Sequence, residues 1–121
     1  MPAKITVIMC PVDRPPYVTN ISPTLKNMQK IVGGHIETVA LTTDAVIVCN
    51  EEGLLLDLPL NPALSSLGSS FFGDGFLVGF DGVDDFTDIP SDNGIRKELL
   101  GYMKHMYKLA IQKKEACKWH D

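Results

Sequence analysis

The sequence predicts an α+β domain: a mixed or antiparallel sheet of about five strands, with a short helix after the second strand and a long C-terminal helix. Two observations predict this fold. Short apolar, β-branched runs bounded by Gly, Pro, Asn and Asp recur through the first two-thirds of the chain, as strands do. The last part of the chain instead places apolar residues three or four positions apart, which is the period of an amphipathic helix.

The chain begins with two predicted strands joined by a proline-rich turn. Residues 4–10 are apolar and β-branched, which predicts a buried strand. Residues 11–16 contain three prolines, which cannot lie in a central strand because proline has no amide hydrogen to donate. The alternating stretch Tyr17–Ile21 predicts a second strand that pairs back on the first.

A short amphipathic helix of about nine residues is predicted next. Ser22 is the expected N-cap, with Pro23 at the first helical position. The glycines at 33 and 34 are expected to end the helix, because glycine readily adopts the left-handed conformation found at helix C-termini. The apolar face of this helix comprises Leu25, Met28, Ile31 and Val32.

Three further strands are predicted. His35–Leu41 alternates in polarity, Ala45–Cys49 is continuously apolar, and the residues between them form a hairpin-length loop. Phe76–Phe80, bounded by glycines, is the fifth strand. The connection before it contains prolines that exclude a regular helix and the low-complexity stretch Ser65–Ser70, which is typical of a mobile loop.

The C-terminal helix is predicted from Ile95 to about Cys117, with Asp92 or Asn93 as its N-cap. No internal repeat and no domain boundary is apparent, so we interpret residues 1–121 as one domain, with a core at 1–92 and the helix at 93–121. The expected apolar stripe of the helix comprises Ile95, Leu99, Met103, Met106, Ala110 and Cys117.

Composition excludes two classes of protein. Hydrophobic residues make up 45% of the 121 positions and charged residues 21%, which is close to the globular average and argues against disorder. No apolar run approaches the roughly 18 to 20 residues that a membrane span needs. The N-terminus lacks the cleavage site of a signal peptide, so we expect a protein of the cytoplasm with no membrane partner.

Charge is distributed unevenly along the chain. Residues 1–94 contain four basic and twelve acidic residues, a net charge of −8, whereas residues 95–121 contain seven basic and three acidic residues, a net charge of +4. Binding to nucleic acid is not expected of the whole protein, because it requires many cations presented together. The basic C-terminal helix could still contact a phosphate, or face the acidic body of its own or a neighbouring subunit.

The sequence does not predict a catalytic, metal or cofactor site. Cys10, Cys49 and Cys117 form no C-x-x-C pair, and the first two lie in apolar strands where a thiol acts as a small hydrophobe. No two histidines share a helical turn, and no phosphate-binding glycine motif occurs. The acidic stretch 81–92 lacks the ligand spacing of a helix-loop-helix calcium site. We therefore predict a protein that binds rather than catalyses.

Asn50 and Asn61 interrupt apolar segments and allow two interpretations. Their side chains could bond to nearby backbone groups, since asparagine commonly does so in turns. Alternatively, if they lie at adjacent strand ends, they could present amide donors and acceptors to one small polar ligand.

Four segments carry a resemblance to a known family: M-Q-K-I-V-G-G-H-I-E at 28–37, N-E-E-G at 50–53, L-P-L-N at 58–61 and G-F-L-V-G at 75–79. In this order and spacing, covering about residues 4–86, they resemble a small uncharacterised domain of phages and conjugative elements. That domain also occurs within polyvalent proteins delivered with invading DNA. The long basic C-terminal helix departs from the family pattern.

The resemblance implies a device against host defence that acts in the cytoplasm of the host cell. The first hypothesis is a homo-oligomeric protein that sequesters a small nucleotide-type immune signal without cleaving it. Arg14 would contact phosphate or ribose, Tyr17 would stack on a base, and His35, Asn50 and Asn61 would supply polar anchors.

Two alternatives remain open. The protein could inhibit a host nuclease or CRISPR-type effector, with the acidic loop 81–92 occupying a groove that normally holds nucleic acid. It could also be a regulatory module that contacts DNA through lysines of the C-terminal helix, namely Lys104, Lys108, Lys113 and Lys114.

Overall fold

A computed structural model describes residues 4–81, 85–91 and 95–117. Within these ranges the chain forms an α+β fold with six strands and three helices, which confirms the predicted class. The elements are β1 (Ile5–Cys10), β2 (Tyr17–Ile21), α1 (Leu25–Val32), β3 (Ile36–Thr42), β4 (Ala45–Asn50), α2 (Pro62–Ser65), β5 (Gly75–Phe80), β6 (Phe86–Thr87) and α3 (Ile95–Cys117).

The six strands form one sheet in which every pairing is antiparallel. The order is β2-β1-β5-β4-β3, and the two-residue strand β6 pairs with β5 outside this path. Of the two sheet types expected, the antiparallel one is therefore observed, with one short strand more than the five predicted. Strand β5 is late in the sequence but pairs on either side with β1 and β4, so the sheet is completed by long-range contacts.

Helices cover both faces of the sheet, and this explains why all six residues of β4 are buried. On one face, side chains such as Ile47 and Leu77 pack with Leu64 of α2 and Met103 of α3. On the opposite face, side chains such as Val48 and Phe76 pack with Met28 and Val32 of α1. An uninterrupted apolar strand is what burial on both faces requires, in contrast to the edge strand β3, in which no residue is fully buried.

The short helix lies roughly where it was predicted but begins later. Its N-cap is Thr24, whose hydroxyl accepts a hydrogen bond from the amide of Asn27 at 3.2 Å. The expectation of Ser22 as N-cap is therefore wrong: the carbonyl of Ser22 instead accepts from the side chain of Asn27. Gly33 ends the helix with a φ of 79°, the left-handed conformation expected of a C-cap glycine.

The connection between β4 and β5 is more ordered than its composition suggests. The prolines do exclude a long helix, but Pro62 occupies the first turn of the four-residue α2. The serine-rich stretch is held to the chain beyond it, since the Ser65 hydroxyl accepts from the Phe71 amide at 2.9 Å. The prediction of a mobile loop is therefore wrong at this end of the stretch.

Helix α3 packs Met103 into the core beside sheet residues, and Tyr107 one turn later is also buried. The predicted apolar stripe did not include Tyr107. Of the residues that it did include, Leu99, Met106 and Ala110 are half-buried. The expected N-caps at 92 and 93 and the side chains at both ends of the stripe, residues 95 and 117, lie outside the described residues. Within the described part of the chain, no helix is both long and apolar enough to cross a membrane.

The burial of β5 between two layers generates a stability prediction. Leu77 is fully buried, so the substitution Leu77→Ala should lower the free energy of unfolding by about 2–5 kcal/mol. The control is Leu25→Ala on α1, where the side chain is 56% exposed and the loss should stay below about 1 kcal/mol. Urea unfolding measures both values, and equal losses would contradict the two-layer core.

Candidate functional site

All five residues predicted to bind a ligand lie at the end of the sheet where β1 and β4 terminate. Strands β1 and β4 run parallel to each other because each pairs antiparallel with β5, which lies between them. The C-terminal ends of β1 and β4 therefore meet the N-terminal ends of β2, β3 and β5. We call this the upper edge; it is formed by the strand-end residues Cys10, Tyr17, Ile36, Asn50 and Gly75.

The five residues nevertheless form separate groups along the upper edge. Arg14 and Tyr17 lie at β2, whereas His35 and Asn50 lie at β3 and β4. Strands β2 and β3 are four strand spacings apart, roughly 19 Å. A single nucleotide contacting all five side chains is therefore not supported by this arrangement.

Arg14 is an exposed residue with two local partners. Its guanidinium lies 5.5 Å from the centre of the Tyr17 ring, within the range of a cation–π interaction. Its Nε lies 3.8 Å from the carboxylate of Asp13, and both of these side chains are mostly exposed. Arg14 and Tyr17 are thus in contact, as the sequence hypothesis required, and Asp13 lies next to the same guanidinium.

Asn61 is fully buried and is held by three hydrogen bonds to backbone groups. Its Nδ2 donates to the carbonyls of Cys10 at 2.8 Å and Gly73 at 2.9 Å, and its Oδ1 accepts from the amide of Leu64 at 3.0 Å. The side chain is the N-cap of α2 and joins that helix to the end of β1. These contacts favour the turn interpretation over ligand contact.

Asn50 has a similar role at the end of β4. Its Nδ2 donates to the carbonyl of Val32 at 3.0 Å, and its Oδ1 accepts from the amide of Glu52 at 2.7 Å. It therefore connects the end of α1 to the turn after β4. Neighbouring His35 is exposed, and its carbonyl accepts from the amide of Glu51 at 2.9 Å. A ligand at either residue stays a prediction.

A groove of about 950 Å³ lies between α2 and α3 and is here called the α2–α3 groove. Three segments far apart in the sequence form it: the turn after β1, the segment containing α2, and the C-terminal half of α3. Its lining comprises Val12, Asp13, Pro59, Leu60, Pro62, Ser65, Ser66, Met106, Tyr107, Leu109, Ala110, Ile111, Lys113 and Lys114.

The α2–α3 groove combines an apolar wall with a few charged groups. Leu60 and Leu109 are 52% and 43% exposed, which leaves apolar surface open to a ligand. Lys113 and Lys114 supply positive charge, and Asp13 supplies the carboxylate that lies beside Arg14. Sequence analysis named Arg14 and Asn61 near this groove, and it named Met106, Ala110, Lys113 and Lys114 of the lining for other reasons. It did not predict a groove, because the lining comes from three segments far apart in the sequence.

A smaller cavity of about 350 Å³ lies near Asn50 on the α3 side of the sheet. Phe71 and Phe72 both line it, but Phe71 is buried in the core while Phe72 is half-buried at the cavity. Cys49 also contributes to its wall. This cavity and the α2–α3 groove do not share lining residues.

Burial disfavours ionisation of the Cys10 and Cys49 thiols. Burial raises the pKa of Cys10 to about 12. Burial, with a smaller contribution from the nearby carboxylate of Glu37, raises the pKa of Cys49 to about 11. Since the thiolate is the reactive form, both thiols are unreactive near neutral pH, as expected of structural cysteines.

The acidic stretch 81–92 is only partly described, since residues 82–84 and 92 lie outside the described ranges. Asp88 accepts a hydrogen bond from the amide of Thr6 at 2.7 Å, which ties this stretch to the start of β1. The Asp85 amide donates to the carboxylate of Asp81 at 3.2 Å. Within the described part of the chain, no group of three or more His, Cys, Asp and Glu side chains is placed to hold a metal.

The comparisons with known proteins identify one family. A family model described as Domain of unknown function (DUF3846) matches residues 5–105. This is consistent with the small uncharacterised domain expected from the motifs, and it extends beyond residue 86 into the first half of α3. No curated protein and no solved structure matches the chain.

The three hydrogen bonds of the Asn61 side chain generate a second prediction. Asn61→Ala should lower the free energy of unfolding by about 3 kcal/mol or more, because it removes a helix cap and leaves two carbonyls without their donor. The control is Asn20→Ala, since Asn20 is exposed and bonds only to the Thr6 hydroxyl among the described contacts. If urea unfolding gave similar losses for both variants, Asn61 would not be the structural anchor described here.

The raised cysteine pKa values generate a third prediction. In a Cys117→Ser chain at pH 8, Cys10 and Cys49 should react with iodoacetamide at least about 100-fold more slowly than an ordinary thiol, because at pKa values of about 12 and 11 less than about one thiol in 1,000 is ionised. Both should react fully in concentrated guanidinium chloride. Mass spectrometry measures the labelling, and rapid modification of the folded chain would contradict the assignment.

Proposed function

The chain belongs to the DUF3846 family, and we propose that it is a binding protein that holds a small nucleotide-type anion in the α2–α3 groove without cleaving it. The observation that carries this proposal is the groove itself. Its volume of about 950 Å³ lies at the upper end of the range of small-molecule sites, roughly 300–1,000 Å³. Its mixture of apolar wall and few charged groups is also typical of such sites.

Each part of a nucleotide has a matching group in the groove. The apolar surface of Leu60, Met106 and Leu109 suits the flat face of a base. The carboxylate of Asp13 can accept hydrogen bonds from ribose hydroxyls. Lys113 and Lys114 can neutralise phosphate oxygens with their ammonium groups.

Arg14 and Asn61 keep part of the role that the sequence hypothesis assigned to them. Arg14 lies beside Asp13, so its guanidinium can reach a phosphate or ribose at the rim of the groove. Asn61 acts indirectly, as a positioning residue, because it holds the α2 wall against β1. Tyr17 supports Arg14, whereas His35 and Asn50 belong to a different part of the upper edge.

The lining of the groove supports binding rather than turnover. It contains no histidine or cysteine, the residue types that most often act as general base or nucleophile. Its two serine hydroxyls are engaged by backbone: Ser65 with Phe71, and Ser66 with the carbonyl of Ala63 at 2.6 Å. Retention of the intact nucleotide is part of the proposal, and the experiment below tests it.

The biological role we propose for this binding is sequestration of a host immune signal in the cytoplasm of a host cell. This role rests on the motif resemblance to a domain of phages and conjugative elements. A sequestering protein needs only affinity and abundance, which is compatible with a small chain that carries a groove of ligand size.

The two alternatives have less support from the geometry. For the nuclease or CRISPR-effector inhibitor, Asp88 of the acidic loop already accepts a hydrogen bond from β1. For the DNA-associated module, the four lysines are divided between two cavities: Lys113 and Lys114 line the α2–α3 groove, while Lys104 and Lys108 line another.

The proposal is tested by heating the purified protein and identifying the released small molecules by mass spectrometry. The protein would be expressed in a host with an active nucleotide-signalling defence. We expect about one intact nucleotide per groove, and at least about a tenfold loss of recovery in the variant Lys113→Gln/Lys114→Gln.

The matched control is Lys26→Gln/Lys30→Gln, which removes the same charge from α1 on the opposite side of the sheet and should leave recovery unchanged. Recovery of a hydrolysed product would contradict retention without cleavage. An empty protein that instead co-purifies with a host nuclease or effector would replace this proposal with the inhibitor.

A further inference from the structure

A turn directly after β4 holds three consecutive leucines in solvent. Leu54, Leu55 and Leu56 are 70%, 82% and 54% exposed. We call residues 53–58 the leucine turn. Single exposed leucines are common on protein surfaces, but three successive exposed leucines concentrate apolar surface in one turn, which is a feature of interaction sites.

The leucine turn is fixed by its own backbone. The Leu56 amide donates to the carbonyl of Glu52 at 2.8 Å, and the Leu58 amide donates to that of Gly53 at 3.0 Å. Asp57 completes the turn with a φ of 56°, a left-handed conformation that aspartate tolerates better than most residues. The exposure of the leucines is therefore imposed by a defined conformation.

The base of the turn is also anchored to the core. A side chain at Gly53 would place its Cβ 2.5 Å from the carbonyl oxygen of Phe72, so only glycine allows the two segments to approach this closely. Asn50 holds the Glu52 amide from the other side. Asn50 and Gly53 of the motif N-E-E-G thus fix the start of the leucine turn.

The rim of the leucine turn is acidic. Glu51, Glu52 and Asp57 are all exposed and flank the three leucines in sequence. An anionic membrane surface would repel this rim, since such surfaces attract basic rather than acidic segments. The occupant of this patch should therefore combine apolar surface with positive charge.

Another surface of the same chain has this complementary chemistry. A groove of about 590 Å³, here called the α3–Pro15 groove, lies along α3 beside the turn after β1. Lys104 and Lys108 are one helical turn apart and both are exposed at this groove. The remaining lining residues are Pro15, Tyr107, Ile111 and Gln112.

We propose that the leucine turn of one chain docks into the α3–Pro15 groove of a second copy. The leucines would cover Pro15 and Ile111, and the acidic rim would pair with Lys104 and Lys108. Opposite charges on the two surfaces would both accelerate the encounter and set its register.

The positions of the two surfaces suit a symmetric dimer. Both lie at the upper edge, because the leucine turn follows β4 and Pro15 follows β1. Between β4 and β2 there are three strand spacings, about 14 Å. A two-fold axis between the surfaces would bring each turn to the other chain's groove, so that the same contact forms twice.

Reciprocal charge reversal tests this pairing. Glu51→Lys/Glu52→Lys reverses the turn, and Lys104→Glu/Lys108→Glu reverses the groove. In analytical ultracentrifugation the wild type should be dimeric at about 100 µM, and each variant alone should dimerise at least about tenfold more weakly. An equimolar mixture of the two variants should regain wild-type affinity, because opposite charges then face each other at both contacts.

Two controls keep the outcome interpretable. Lys26→Glu/Lys30→Glu on α1 changes the net charge as the groove variant does and should leave the dimer intact. Leu55→Ser should weaken it without any change of charge. Circular dichroism verifies that each variant is folded.

A monomeric wild type, or variants that fail to recombine when mixed, would overturn the proposed dimer. The experiment contains no nucleotide, and neither surface includes Lys113 or Lys114. The two grooves share Tyr107 and Ile111. No variant in either experiment changes these residues, so failure of the dimer is distinguished from failure of nucleotide binding.

Discussion

The three hydrogen bonds of the buried Asn61 side chain determine much of the upper edge. They join the end of β1, the segment before β5 and the first turn of α2, three parts of the chain that are far apart in sequence. An amide is suited to this position because it donates twice and accepts once without carrying a charge that burial would penalise. With α2 fixed in this way, α3 can pack beside it, and Tyr102 donates from α3 to the carbonyl of Ser66 at 3.3 Å. The α2–α3 groove is the space left between these elements.

Helix α3 lines both the α2–α3 groove and the α3–Pro15 groove. Met103 is buried with sheet residues in the core, whereas Tyr107 and Ile111 line both grooves. Lys113 and Lys114 accompany the larger groove, whereas Lys104 and Lys108 accompany the smaller one. Four of the seven basic residues in the C-terminal part of the chain thus lie at a proposed ligand site and a proposed dimer contact.

Most of the secondary structure could be predicted because its signals are local. The continuous apolar run of β4 and the alternation of β3 reflect burial on two faces and at an edge, and both are visible in a few neighbouring residues. Gly33 likewise ends α1 because of its own backbone conformation. The errors were also local. Thr24 rather than Ser22 caps α1, and both residues carry a hydroxyl that can cap a helix. Strand β6 was not predicted because two residues are too few to show a period.

The sequence by itself determined the α+β class, the approximate positions of five strands and two helices, and the presence of polar side chains at the strand ends. Only the tertiary structure decided what those side chains do. Asn50 and Asn61 satisfy buried backbone groups, and whether such groups need a side-chain partner depends on contacts 18 and 51 residues away. The α2–α3 groove could not be predicted from the sequence either, because the turn after β1, the segment of α2 and helix α3 form it together.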